Sequence, residues 1–195
     1  MTIVLETERL RIRRFTEDDA PLLLELDSDP EVMRFVGPYQ LPNVEAYREY
    51  IRARYLPEYQ RQAGWGVFAA IEMSSGNFLG KFILHPAPQD TYGLDARFQP
   101  DDIELGFRFR RDCWGRGFAT EGSRALIRLA FRQNKATRIV AAILDGNIAS
   151  VRVLEKVGLK LISRSWANDV NQPQATFALT AEEFLSAEST PAKLG

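Results

Sequence analysis

The chain contains one cysteine, Cys113, and one histidine, His85. A lone cysteine excludes an internal disulfide framework and multi-cysteine zinc sites, and a lone histidine excludes His-rich metal motifs, so no metal site is expected. Net charge is also nearly absent: 25 Lys and Arg against 26 Asp and Glu leave −1. Nothing therefore attracts nucleic acid or an anionic membrane in general, and any anion has to be bound locally. The longest stretch without a charged residue, Val170 to Ala181, contains Asn, Gln, Thr and Pro and falls short of the ~20 apolar residues of a membrane span. Glu6 and Glu8, with no apolar run behind a basic flank, argue against a secretory signal. A soluble cytoplasmic protein is expected by elimination. What is present is 195 residues with 45% hydrophobic side chains, enough for one domain burying roughly 70% of its unfolded surface.

The periodicity is mixed α and β. Leu10 and Ile12 alternate with arginines as in a half-buried strand, and Thr16 with Asp19 resembles a capping box before a helix carrying Leu22, Leu23 and Leu26. After Ser28-Asp29-Pro30, the spacing of Tyr47, Tyr50, Ile51 and Tyr55 predicts a helix over Val44 to Tyr59. Trp65 to Ile71, Phe78 to Leu84 and Ile103 to Phe109 read as antiparallel strands, the first two joined by a turn at Ser74 to Asn77. His85 to Asp102 is a long loop. Then comes Trp114-Gly115-Arg116-Gly117-Phe118-Ala119-Thr120, opening a helix to about Gln133 with Ala119, Gly122, Leu126, Leu129 and Ala130 inward. Ile139 to Leu144 is uniformly apolar, as a central strand should be. Asp145-Gly146-Asn147 leads to a short helix with Ile148, Val151 and Leu154 inward, ended by Gly158. Strands at Leu159 to Ser163 and Ala175 to Leu179, a capped turn at Thr180 to Glu183 and a frayed tail from Ala187 complete the chain. Trp65, Trp166 and the tyrosines of the second helix are expected in the core.

Glycines before a helix let a phosphate approach unpaired N–H groups and the positive end of the helix dipole. Gly115 and Gly117 supply that arrangement. A nucleotide P-loop is excluded, because Gly117 to Gly122 is followed by Ser123 and Arg124 rather than Lys-Ser or Lys-Thr. A dinucleotide fingerprint is broken at Thr120, and the first acidic residue at a strand end, Asp145, lies 28 positions past Gly117 instead of about 20. A loop for the pyrophosphate of an acyl-CoA remains.

Five motifs in order resemble the GNAT superfamily, in the branch of ribosomal-protein N-terminal acetyltransferases (RimJ/RimL-like): Thr7-Glu8-Arg9-Leu10, Ser28 to Met33, Glu104-Leu105-Gly106-Phe107, Trp114 to Glu121 and Asn147 to Gly158. The family loop Q/R-x-x-G-x-G/A falls on Trp114, Gly117 and Ala119, with Trp114 departing from Gln or Arg. The resemblance implies an α/β (α+β) fold with a mixed, mostly antiparallel sheet of six or seven strands flanked by helices. Acetyl-CoA is then bound between splayed central strands, against Phe109, Arg110 and Arg111 and beside Asn147. Its phosphates lie on the amides of Gly115, Arg116, Gly117, Phe118, Ala119 and Thr120.

The same resemblance implies direct transfer to a primary amine in a ternary complex, the acceptor being a protein α-amine or a small molecule. Glu104 matches the family's carboxylate base and alternates with the apolar Ile103 and Leu105; a plain salt bridge is the alternative. The family's frequent tyrosine is replaced by Leu154, leaving the Ser150 hydroxyl to stabilise the departing thiolate. Asn147 contacts cofactor, caps its helix, or does both. Cys113 lacks a histidine partner for nucleophilic work and is expected to be an apolar filler, while His85 is a loop residue. Phe35 to Tyr39 and Tyr47 lie where relatives build their acceptor pocket. A homodimer is compatible with this reading. Two rivals stay open, a non-catalytic CoA-binding regulator and a nucleotide-binding module using the same loop.

Overall fold

The computed structural model describes residues 2–37, 40–61, 64–87, 98–167 and 171–189. The chain divides into two compact units, Met1–His85 with Leu105–Ile127, and Pro86–Glu104 with Arg128–Gly195.

In the first unit β1 (Ile3–Glu6), β2 (Leu10–Arg14), β3 (Gly66–Glu72) and β4 (Phe78–Pro86) pair in sequence, each antiparallel to the next. The turn at Ser74 to Asn77 closes β3 on β4, Glu72 N–H donating to Asn77 O at 2.9 Å. Leu10 and Ile12 are fully buried as the alternation predicts, but Arg13 is buried too. A charge survives there because both guanidinium Nη atoms meet Asp19 carboxylate oxygens at 2.7 Å. The Asp19 carboxyl is pushed up by burial yet ends below its ordinary value, because Arg13 and the Thr16 amide outweigh that cost. Thr16 N–H donates to Asp19 at 2.8 Å, so the box that starts α1 (Ala20–Ser28) also neutralises the buried arginine. Asp29 caps the one-turn α2 (Pro30–Met33) by accepting from Glu31 N–H at 2.9 Å.

The second helical stretch is not one regular helix. It is α3 (Val44–Tyr50), a π turn at Ile51–Tyr55 and α4 (Leu56–Arg61). Pro57 explains the interruption: it has no N–H for the carbonyl of Ala53 and its ring would strike that oxygen, so a wider turn precedes it, with Leu56 N–H donating to Ile51 O. Tyr47, Ile51, Tyr55 and Tyr59 are buried, whereas Tyr50 is exposed.

In the second unit β6 (Arg138–Leu144) runs antiparallel to β8 (Gln172–Thr180), which pairs antiparallel with β7 (Lys160–Ala167). β5 (Ile103–Phe109) is shared by the two units. Its first two residues pair with β6, and that ladder is parallel, Ile103 opposite Ile139 and Glu104 opposite Val140. The antiparallel expectation for Ile103 to Phe109 concerns its relation to the two strands before it, which this ladder leaves untouched. α6 (Ile148–Lys156) ends as Gly158 allows: at φ 98° it forms a Schellman cap, with Leu159 N–H on Leu154 O at 3.0 Å and Gly158 N–H on Glu155 O at 3.1 Å. α7 (Ala181–Ser189) opens on a capping box between Thr180 and Glu183.

The strand order is β1-β2-β3-β4-β5-β6-β8-β7, a mixed sheet of eight strands where six or seven were expected. The addition is β1, four residues whose apolar centre is too short to show a period. Other expectations fail locally. Ile148 is 56% and Trp166 51% exposed instead of buried, Ala187 to Ser189 continue α7 instead of fraying, and most of the His85 to Asp102 loop lies outside the described residues. Among the described residues no helix is long and apolar enough to cross a membrane.

α5 (Phe118–Arg132) crosses the first unit's sheet on a glycine. A Cβ on Gly122 would lie 2.2 Å from Cζ of Phe82, itself fully buried. Alanine in a helix is ordinarily worth about 1 kcal/mol over glycine. Here Gly122→Ala is expected to destabilise by about 1–3 kcal/mol through overpacking, read as a lower urea midpoint; a raised midpoint would show that the contact is soft.

Candidate functional site

The sequence Trp114 to Thr120 forms the turn into α5. Gly115 and Gly117 take φ of 73° and 84°, the left-handed region in which a side chain is strained. A Cβ at Gly115 would meet nothing within 4 Å, so one face of this turn is open. The first bond into the helix is Glu121 N–H to Gly117 O at 3.0 Å. The amides of Phe118, Ala119 and Thr120 precede it and have no acceptor within the helix. Among the described residues none of the amides from Gly115 to Thr120 is bonded elsewhere. They form a row of donors at the positive end of the dipole, suited to an oxyanion.

A network from the chain's start braces this turn. The Glu121 carboxylate accepts from Thr7 Oγ1 at 2.6 Å, from Arg9 N–H at 2.9 Å and from Arg9 Nε at 2.7 Å. Arg9 Nη1 in turn donates to Arg116 O at 2.9 Å, fixing a peptide of the turn itself. Arg9 and Arg116 lie over the Phe118 ring at 4.7 Å each, and Arg116 pairs with Glu72 at 2.8 Å. Both guanidinium charges have carboxylate partners, which leaves the peptide N–H groups as the free donors of the loop. Thr7, Arg9 and Glu121 stand within the motifs but carry no role in the sequence reading; only the fold shows that they meet.

The neighbouring residues are held as well. Trp114 is 47% exposed, yet its Nε1 donates to Phe109 O at 2.8 Å, tying the loop to the end of β5. Arg110 uses its N–H on Leu79 O at 2.9 Å and its guanidinium on Glu25 at 2.9 Å. Arg111 is exposed in a short turn, Arg111–Cys113. Burial and the Asp112 carboxylate push the Cys113 thiol up to about 11, the opposite of an activated nucleophile. His85, expected in the loop, is instead the penultimate residue of β4, with Nδ1 3.1 Å from Glu58 Oε1.

Glu104, Asn147 and Ser150 belong to the second unit. Glu104 is half-buried between the buried Ile103 and Leu105, as alternation requires. Its place is set by Asp102, which is 1% exposed and grips Arg138 with two bonds of 2.8 and 2.6 Å. That fork locks the start of β5 to the start of β6. Asn147 caps α6, its Oδ1 accepting from Ser150 N–H at 3.2 Å, so the cap role is observed and its amide NH2 stays outside that bond. Leu154 is fully buried and serves packing. Among the described residues no group of three or more His, Cys, Asp or Glu side chains is placed to hold a metal ion.

Hydrogen bonds from Thr7 and Arg9 hold the Glu121 carboxyl below its ordinary value against the opposing effect of burial. A carboxyl depressed in the folded state stabilises fully above its unfolded value of about 4.3 and loses that stabilisation as pH falls through the folded value. Glu121→Gln is therefore expected to lower the urea midpoint near neutrality, with the gap to the parent closing as pH drops below about 4; a gap independent of pH would assign the loss to shape alone.

Residues 9–160 match the acetyltransferase (GNAT) domain family. The FsC-acetyl coenzyme A-N(2)-transacetylase of Aspergillus fumigatus is 27% identical over 188 residues, spanning 93% of this chain and 77% of that protein. A ribosomal-protein-S5-alanine acetyltransferase from Vibrio fischeri superposes with a TM-score of 0.73 at 14% identity, covering 92% of this chain and 97% of that one. The structure of AAC(6')-Ib in complex with ribostamycin and coenzyme A gives 0.72 at 22%, covering 95% and 99%. The chain matches the family across both units, through the braced glycine turn and on to the cap of α6; it belongs to the GNAT acetyltransferase family and is an acyltransferase.

Proposed function

We propose that this acyltransferase transfers an acetyl group from acetyl-CoA to a primary amine in a ternary complex, and that it belongs to the RimJ/RimL-like branch. The observation that carries the assignment is the row of unengaged amides from Gly115 to Thr120, held open by the Glu121–Arg9 network. The pyrophosphate lies on those amides, with Phe109, Arg110 and Arg111 lining the approach through their backbone. Acetyl coenzyme A in the name of the Aspergillus relative and coenzyme A in the AAC(6')-Ib complex support this donor.

Glu104 acts as the base. It takes a proton from the acceptor ammonium, directly or through water, so that the free amine attacks the thioester carbonyl. The Phe109 N–H polarises that carbonyl. The Ser150 hydroxyl donates to the departing thiolate, stabilising it without full proton transfer, and the Asn147 amide NH2 faces the pantetheine arm. No covalent enzyme intermediate is needed, because the site's task is to hold two reactants about 3 to 3.5 Å apart. One catalytic domain, cytoplasmic and without a metal, is part of the same proposal, and the acceptor is either a protein N-terminus or a small-molecule amine.

A thiol-release screen with acetyl-CoA over free amines and N-terminal peptides tests transfer itself; acetyl-CoA that raises the melting temperature while no thiol is released across the panel would leave only a CoA-binding regulator. Glu104→Gln is expected to cut turnover by about 10²-fold at neutral pH and to recover partly at alkaline pH, where the amine is already free. An unchanged rate profile would move the base elsewhere. Gly117→Val should weaken CoA binding about tenfold or more in calorimetry, since a branched side chain resists the left-handed turn and crowds the amides.

A further inference from the structure

Lys81, on β4, is 8% exposed. An ammonium carries three donors, and the contact this one makes is with Tyr55 Oη at 3.5 Å, the outer limit of a hydrogen bond. Among the described residues it has no ion-pair partner. The buried carboxylate nearby, Asp27, is already used on both oxygens: Tyr47 donates to Oδ2 at 3.0 Å, and Arg108 Nη1 donates to Oδ1. When Lys81 is protonated, Lys81, Arg108 and Asp27 together hold one positive charge more than they cancel, in a place where an unpaired charge is costly, so a bound anion is what would keep the ammonium charged.

Burial, with Arg108 adding to it and Asp27 opposing, pushes the Lys81 ammonium down to about 7. Burial and Asp27 push the Tyr47 phenol up to about 12, so it stays a donor, and burial raises Tyr55 in the same direction. β4 passes hard against β5 here, since a Cβ on Gly80 would lie 2.2 Å from Arg108 O and 2.7 Å from Phe109 Cα. Lys81 thus follows the residue that touches Phe109, whose N–H faces the acyl group in the proposed mechanism. The widened turn at Ile51–Tyr55 carries the tyrosine to the same spot.

We propose that Lys81, with Tyr55 and Arg108, is the subsite for a carboxylate borne by the acceptor, so that the acceptor is an amine carrying a carboxylate within a few bonds of its nitrogen. The placement relative to the acyl group rests on the acetyltransfer reading above; the surplus buried charge does not. The carboxylate supplies the missing counter-charge, accepting from Lys81 Nζ and Tyr55 Oη, and orients the amine toward the thioester at Phe109.

The test has a kinetic arm and a turnover-free arm. In thiol release, α-amino acids are compared with their carboxamides. The parent should favour the acids by roughly ten- to hundredfold in kcat/KM, the worth of a charged hydrogen bond. Lys81→Met should erase that preference through KM while leaving kcat for the amides and acetyl-CoA affinity unchanged. Methionine fills the same volume without a buried charge, and Tyr55→Phe, which keeps lysine and ring, should reduce the preference in part. Separately, 15N-lysine NMR of the CoA complex follows Lys81 Nζ during titration with N-acetylglycine and with N-acetylglycinamide. A shift and a raised titration midpoint with the acid alone support the subsite. Equal kcat/KM for acids and amides together with no shift overturns it, even if thiol release proceeds. If no amine is acetylated yet N-acetylglycine still shifts Lys81, the anion subsite stands and the acetyltransfer reading falls.

Discussion

Everything near the glycine turn depends on one carboxylate. Glu121 is reached by three donors from Thr7 and Arg9, and through Arg9 it holds the carbonyl of Arg116. Peptides with positive φ are soft, and a loop of free amides left to itself would turn them to water in many directions. The bracing removes that freedom before any ligand arrives, so less ordering remains to be done on binding. It also uses charge economically. The charges of Arg9 and Arg116 are already matched by Glu121 and Glu72, so what the turn presents is the geometry of its amide row more than raw potential.

The same device recurs at two other places where a charge is buried among the described residues. Arg13 with Asp19 ties β2 to the start of α1, and Arg138 with Asp102 ties β6 to the start of β5. Each is a paired contact of planar groups; the first joins the end of a strand to the start of a helix and the second the starts of two strands, which matters more than its net energy. The second sets the height of Glu104 along its strand. Lys81 is the exception to this pattern: among the described residues it is buried with no carboxylate partner.

The elements that were legible are those with punctuation or a clean period. Gly115 and Gly117 before an amphipathic helix, Asn147 and Gly158 bracketing another, and the uniformly apolar Ile139 to Leu144 all form what their residues suggest. The failures have physical causes. Helical spacing over Val44 to Tyr59 gave no weight to Pro57, so the π turn was invisible. Alternation in β2 placed Arg13 outside, because a buried ion pair depends on Asp19 coming into reach, which no local pattern reveals. Trp166 sits on the outermost strand, where an indole is half open; composition alone suggested the interior. The site itself was only half legible, since the glycines announce a turn while its bracing from Thr7 and Arg9 crosses more than a hundred residues of chain.

Cys113 stands directly before the glycine turn, its sulfur buried against Asp112 with the thiol pushed up to about 11. At neutral pH the sulfur is then held in its thiol form. A thiol held in that form is a poor nucleophile toward an acyl thioester. The same protonation shields Cys113 from peroxide and from disulfide exchange with other chains.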